Sequence, residues 1–140
     1  MVKSMPSRTK YRKTQKGGKK LKGNANSGFS LAFGVYGLKV LTSGRLKAKQ
    51  IEAARRCISR AMKRAGKLWI RVFPHTPVTS KPAEVRMGKG KGSIDYWMCK
   101  MKPGHIIFEV DGVDEATAID ALTKAGAKLP FKFKVVKRVN

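Results

Sequence analysis

The 140-residue sequence predicts an α+β domain preceded by a basic arm, and three observations carry that expectation. Apolar residues recur at helical spacing within 46–65 and 116–125. Elsewhere they alternate, or run in short blocks of strand type bounded by Gly and Pro. Residues 1 to 28 combine Lys and Gly with almost no large apolar side chains, the composition of a segment that cannot bury enough surface to fold alone and is expected to order only on a partner. Helices set among mostly antiparallel strands then make a single domain, 29–140. With 41% apolar residues, that domain can bury a modest core.

Taken in chain order, Phe29, Leu31, Phe33 and Val35 alternate, and a second run interrupted by Gly34 and Gly37 ends at Val40 and Leu41, predicting two bent or bulged strands. Thr42-Ser43-Gly44 breaks the chain. From Leu46 to Ala65 the pattern is helical, with Ile51, Ala54, Ile58, Ala61, Met62 and Ala65 on one stripe and Gly66 placed to stop it. Leu68 to Phe73 reads as a buried strand, after which Pro74, Pro77 and Pro82 predict a long irregular Gly/Lys/Pro-rich segment to about Gly92. Ile94 to Met101 and His105 to Val110 are predicted to pair as a hairpin through Lys102-Pro103-Gly104. Asp111-Gly112 closes that strand. Asp114 is a suitable N-cap for a short helix carrying Ala116, Ile119, Ala121, Leu122 and Ala125, and Phe131, Phe133 and Val135 alternate with Lys132 and Lys134 in a last strand. No internal repeat is found.

Charge limits the function. Thirty-two Lys and Arg against eight Asp and Glu leave +24, and a pI near 10.7 calls for a polyanionic partner, with nucleic acid the leading candidate. All eight acids lie at or after Glu52, so residues 1 to 51 hold thirteen cations and no acid. No run approaches the roughly 18 apolar residues of a membrane span, and no secretory apolar core opens the chain, so neither membrane insertion nor export is expected. A mitochondrial transit peptide competes for the basic, acid-poor arm, although the arm has no apolar stripe of helical period. Cys57 and Cys99, like His75 and His105, stand without partners at metal-ligand spacing. No metal and no cofactor are expected, and the cysteines read as small hydrophobic residues in preference to a disulfide pair.

Projected at 100° per residue, the first helix places Lys49, Arg56, Arg60, Lys63, Arg64 and Lys67 opposite its apolar stripe. One face packs and the other is offered to phosphate; a merely solvated face and a membrane-surface helix are the competing readings. The second candidate is Glu84-Val85-Arg86-Met87-Gly88-Lys89-Gly90-Lys91-Gly92-Ser93. Alternating glycines let backbone N–H groups approach an anion while each Lys adds a mobile charge. Its spacing is neither that of a phosphate-binding Walker loop nor G-x-G-x-x-G, and a solvated hairpin tip is the alternative. Trp69, Trp97, Tyr96, Phe73, Phe108, Phe131 and Phe133 fall in strand patterns and are expected in the core, whereas Tyr11, in the arm, is the better base-stacking candidate. Asp111, Asp114 and Glu115 cluster where a helix start favours carboxylates, and neither histidine has a nucleophile at motif spacing. No enzyme is expected.

These segments together resemble the bacterial-type large-subunit ribosomal protein family L-sixteen. The resemblance runs through Arg8-Thr9-Lys10-Tyr11-Arg12-Lys13, Phe33-Gly34-Val35-Tyr36-Gly37-Leu38-Lys39, Gln50-Ile51-Glu52-Ala53-Ala54-Arg55-Arg56, Trp69-Ile70-Arg71-Val72-Phe73-Pro74, the stretch from Lys81 to Gly92, Phe108-Glu109-Val110-Asp111-Gly112-Val113 and Ala127-Lys128-Leu129-Pro130. It implies a hammerhead-like α+β fold and a structural role in the cytoplasmic large subunit, or in its organellar counterpart. The implied partners are 23S-type rRNA, neighbouring large-subunit proteins, and tRNA at the aminoacyl site and by extension the peptidyl site. It implies no membrane, no homo-oligomer and no reaction. Carried over by motif, Lys10, Arg12 and Lys13 are arm contacts, Arg55 and Arg56 helix contacts, and Lys81, Arg86, Lys89 and Lys91 contacts of a tRNA-proximal loop, 74–93. Some members hydroxylate the arginine matching Arg86, which makes it a candidate modification site. Met1 to Ser4 lengthens the usual start, Ser7 stands where a basic residue is expected, and His75-Thr76-Pro77 replaces a more usual charged pair. A free RNA-binding or RNA-chaperone module is the alternative function.

Overall fold

The computed structural model describes residues 3–17 and 21–139. Met1, Val2 and Gly18 of the arm, with residues 19, 20 and 140, lie outside the described residues. The chain runs β1 (Tyr36–Val40), β2 (Gly44–Lys47), α1 (Ala48–Ala61), β3 (Lys67–Ile70), β4 (Thr76–Ser80), β5 (Ser93–Met101), β6 (Ile106–Asp111), α2 (Glu115–Gly126) and β7 (Phe133–Lys137). One sheet has four strands in the order β3-β6-β1-β7 and the other three in the order β2-β5-β4, with every pairing antiparallel. This is the α+β class predicted. The helices pack on each other, and Leu38, Leu46, Ile58, Phe108 and Leu122 are fully buried in the core they share with the strands. Burying each such side chain is worth about 1.5–3 kcal/mol.

Four details depart from the sequence expectation. The helix occupies 48–61 instead of 46–65, because Gly44–Lys47 pairs with β5 as β2. Its end is closed by an Arg64 N–H bond to the Ser59 carbonyl, 3.1 Å, with Lys63 and Arg64 in the left-handed region (φ 53° and 63°). Gly66 therefore lies beyond the helix, on the turn into β3. Residues 76–80, expected to be irregular, form β4; Pro77 is tolerated because β4 is an edge strand with only β5 as neighbour.

The predicted hairpin does not form. Lys102-Pro103-Gly104 does turn, the His105 N–H reaching the Lys102 carbonyl at 3.3 Å. A strand has only two edges, however, and those of β5 are taken by β2 and β4 while those of β6 are taken by β1 and β3. The turn thus carries the chain from one sheet into the other, tied to the end of β1 by bonds from Gly104 N–H to Val40 C=O (2.7 Å) and from Val40 N–H to His105 C=O (2.9 Å).

The alternating segment 29–35 is also not a strand. Its backbone donors are captured by one carboxylate: fully buried Glu109 of β6 accepts from the N–H groups of Ala32 (2.8 Å), Phe33 (2.8 Å) and Gly34 (3.2 Å). Arg71 completes the site at 3.1 Å and donates also to the Ser30 carbonyl. Burial pushes the Glu109 carboxyl up, but the three backbone bonds and Arg71 more than offset it, leaving it below the usual carboxylate range. The stabilisation is present above that range and is lost as pH falls through the depressed value. Phe33 then stacks on Trp69, ring centroids 6.1 Å apart.

Candidate nucleic-acid interface

α1 shows how packing and charge divide one helix. Ile51, Ala54 and Ile58 turn inward, so the 100° spacing leaves Lys49, Arg56 and Arg60 exposed. At its start the Gln50 side chain accepts the Lys47 N–H at 2.9 Å. At its end the left-handed pair Lys63 and Arg64 folds two more cations back alongside the helix. The result is an open concavity of about 500 Å³ lined by Arg55, Arg56, Ser59, Arg60, Lys63 and Arg64, five cations with no acid.

Glu52, outside that lining, engages the N-terminal part of the cluster. Arg55 grips it with two bonds, 2.9 and 2.6 Å, and Arg56 adds a third at 3.1 Å. The Arg55 hydrogen bond is the main reason the Glu52 carboxyl is lowered to about 2. Arg60, Lys63 and Arg64 make no ion pair among the described residues, so their charge is available to a ligand.

The second candidate is the tip between β4 and β5, shortened from the expected 74–93 to residues 81–92 by the formation of β4. Residues 81–91 are all exposed, Met87 completely, with Arg86 and Lys89 at the tip. Gly88 and Gly90 have φ of 99° and 89°, and a Cβ at either position would meet nothing within 4 Å, so glycine is required there by backbone conformation and not by space. Lys81 reaches across the tip to the Gly88 carbonyl. Gly92 closes the loop against the Ser80 backbone.

The described arm residues contain no helix or strand, and Lys10, Tyr11, Arg12 and Lys13 are exposed. Lys10 lies 5.6 Å from the Tyr11 ring centroid. The arm meets the loop: Lys13 donates to the Lys91 carbonyl (3.2 Å) and Lys91 to the Thr14 carbonyl (2.5 Å). Arg45 of β2 holds the Gly17 carbonyl at 3.1 Å. The predicted residues thus gather in two places, the arm with the loop and the cations of α1; the concavity shares no lining residue with the loop.

Sequence reasoning missed Ser59, which the helical projection places between Arg55 and Arg56, and Arg45, whose role depends on pairing of β2. It also missed Glu109, whose signal was a lone carboxylate inside the apolar run Ile106-Ile107-Phe108-Glu109-Val110. Among the expected core aromatics, Phe108 and Phe131 are buried, Trp69, Tyr96, Trp97 and Phe133 are half-buried, and Phe73 is 39% exposed. Cys57 and Cys99 are free thiols, and burial pushes that of Cys99 up. Among the described residues no cluster of His, Cys, Asp or Glu could hold a metal ion, and no helix is long and apolar enough to cross a membrane.

A family model described as ribosomal protein L16p/L10e matches residues 6–136. The chain is 60% identical over 134 residues to the large ribosomal subunit protein uL16 of Allorhizobium ampelinum, covering 96% of each chain. It is 59% identical over 134 residues to that of Maricaulis maris, again covering 96% of each. The protein of the same name from Psychrobacter cryohalolentis is 59% identical over 133 residues, 95% of this chain and 96% of its own. Proteins of this kind are structural components and not enzymes. A cationic concavity on a helix, a Gly-Lys loop and a basic arm on an α+β body are thus found in a chain that belongs to the ribosomal protein L16p/L10e family.

Proposed function

We propose that the chain is a constituent of the cytoplasmic large ribosomal subunit, binding 23S-type rRNA through the α1 concavity and the arm. Neighbouring large-subunit proteins are its further partners. The loop at 81–92 helps position aminoacyl-site tRNA and, by extension, peptidyl-site tRNA. The observation that carries this reading is the concavity of five cations, in which Arg60, Lys63 and Arg64 have no acidic partner among the described residues. Lys and Arg there neutralise phosphates and release counterions, pinning separated RNA segments in one geometry. Shape and 2′-hydroxyl contacts supply specificity, because cations greatly outnumber exposed aromatic rings.

The test is sedimentation of a cell lysate through sucrose at moderate and high salt, following this chain against the large subunit. Stoichiometric co-migration at moderate salt is expected; migration in the soluble fraction or with free RNA would favour the chaperone alternative. For purified protein on rRNA, log K is expected to fall with log[salt] at a slope of roughly −4 to −9, and a slope near −1 contradicts multiple phosphate contacts. Arg86→Ala with Lys89→Ala is expected to weaken tRNA placement while leaving subunit incorporation largely intact. Arg86 is also the proposed hydroxylation site, which intact-protein mass spectrometry checks as one added oxygen.

A further inference from the structure

A second concavity, of about 710 Å³, opens between the start of the arm, the first turn of α1, the segment after β3 and the outer part of β5. Its volume falls in the range of small-molecule sites, roughly 300–1,000 Å³. Phe73, Tyr96 and Trp97 contribute aromatic surface to its wall. Of these, Phe73 is 39% exposed although strand patterning would have put it in the core. The segment after β3 leaves the four-stranded sheet before β4 joins the other, so Phe73 stands where neither sheet covers it.

The rim is cationic. Lys3, Lys47, Lys49 and Arg56 line it against Glu52 and Asp95, and Glu52 is already engaged by Arg55 and Arg56. The Lys47 ammonium lies 4.9 Å from the Tyr96 ring centroid, which holds a positive charge beside the aromatic wall. An aromatic wall under a positive rim is complementary to a planar group joined to an anion. It fits poorly to an apolar peptide, which would leave the lysines without countercharge.

We propose that this groove is a nucleobase pocket, in which one unpaired base of a bound RNA stacks on Phe73 while the adjoining phosphates lie on Lys47 and Lys49. The proposal rests on the RNA-binding reading but adds base stacking to it: the groove adjoins the α1 concavity, with which it shares only Arg56 of its lining, and that concavity offers cations and no aromatic ring. Stacking is tolerant of base identity because every base has a π face.

The test compares two probes on the full-length protein at fixed salt: hexa-adenylate, and an abasic ribose-phosphate hexamer of equal charge. Wild type is expected to bind the base-bearing probe at least about fivefold more tightly, the lower end of what one aromatic stack contributes. Phe73→Ala is expected to abolish that preference without changing affinity for the abasic probe, and Phe73→Trp to retain it. Equal binding of both probes by the wild type overturns the pocket while leaving the phosphate-binding reading standing. A preference that survives Phe73→Ala overturns it too, assigning the stacking elsewhere, for example to Tyr11. Failure to bind either probe overturns the pocket, and the salt slope on folded rRNA then decides the RNA reading separately.

Discussion

α1 and α2 pack against each other, and each buries a stripe of small and branched apolar residues, yet their outer faces differ in kind. α1 carries Lys49, Arg55, Arg56 and Arg60 against Glu52 alone. α2 carries Lys124 against Glu115 and Asp120, and both acids are paired, Asp120 with Lys124 at 2.9 Å and Glu115 with Lys137 at 3.0 Å. Exposed pairs of this kind contribute little to stability. Since α2 packs without a cationic outer face, the surplus charge of α1 is not a requirement of folding. On the proposed reading it serves the rRNA contact, at the cost of self-repulsion in the free protein.

If the helices are equivalent in packing, Ile58→Ala and Leu122→Ala, both at fully buried positions, should each destabilise by about 2–5 kcal/mol in denaturant titrations. A difference larger than that range would show that the two stripes do not share one core. Their outer faces should separate sharply. Replacing Arg60, Lys63 and Arg64 together by Ala is expected to make the salt slope of rRNA binding shallower by roughly 2 to 3, whereas Lys124→Ala on α2 leaves it unchanged. Equal losses on both helices would erase the distinction.

The third test sharpens the comparison at the helix end. Lys63 has φ 53°, and a left-handed non-glycine residue costs roughly 1–2 kcal/mol. Lys63→Gly is expected to raise stability by about 1 kcal/mol in thermal unfolding while weakening rRNA binding, because glycine relieves the left-handed strain and the substitution removes a cation from the proposed rRNA face. Loss of stability instead would show that the Lys63 side chain supports the helix end.

The smallest effect concerns Glu52, the one acid of α1. Its carboxyl is held at about 2, below its ordinary value of 4.5, so its stabilising contribution is present above the ordinary value and is lost as pH falls through about 2. For a half-buried pair within one turn of a helix the loss should be under about 1 kcal/mol, and Glu52→Gln should remove that pH dependence from acid titrations. The same substitution frees Arg55 and Arg56, and rRNA affinity should rise a few-fold.

Both helices, the last strand and the basic character of the interface were legible in the sequence, because amphipathic spacing and charge segregation are local properties. Asp114 was expected to cap α2 and does occupy the N-cap; its hydroxyl partner Thr117 donates to it at 2.6 Å, which lowers its carboxyl. β2 was not legible: Gly44-Arg45-Leu46-Lys47 has too few residues to show a period against the helix that follows, and only the edge of β5 makes it a strand. Pro77 argued against β4 until the sheet order placed it at an edge. The site shows the same division. Cations of α1 were assigned from spacing, but their gathering into one concavity depends on the left-handed turn at Lys63 and Arg64, which no glycine announced.

By itself, then, the sequence determined which residues face inward along each helix, where positive charge accumulates and that a polyanion must balance it, since these follow from residue spacing and net charge alone. Tertiary structure decided which strands are neighbours, so that β5 and β6 part company at a turn that looks like a hairpin. It decided too that Glu109 would claim three backbone donors from a segment patterned as a strand. Those outcomes depend on competition for sheet edges and for buried hydrogen-bond partners distant in the chain, and such competition leaves no trace in local periodicity.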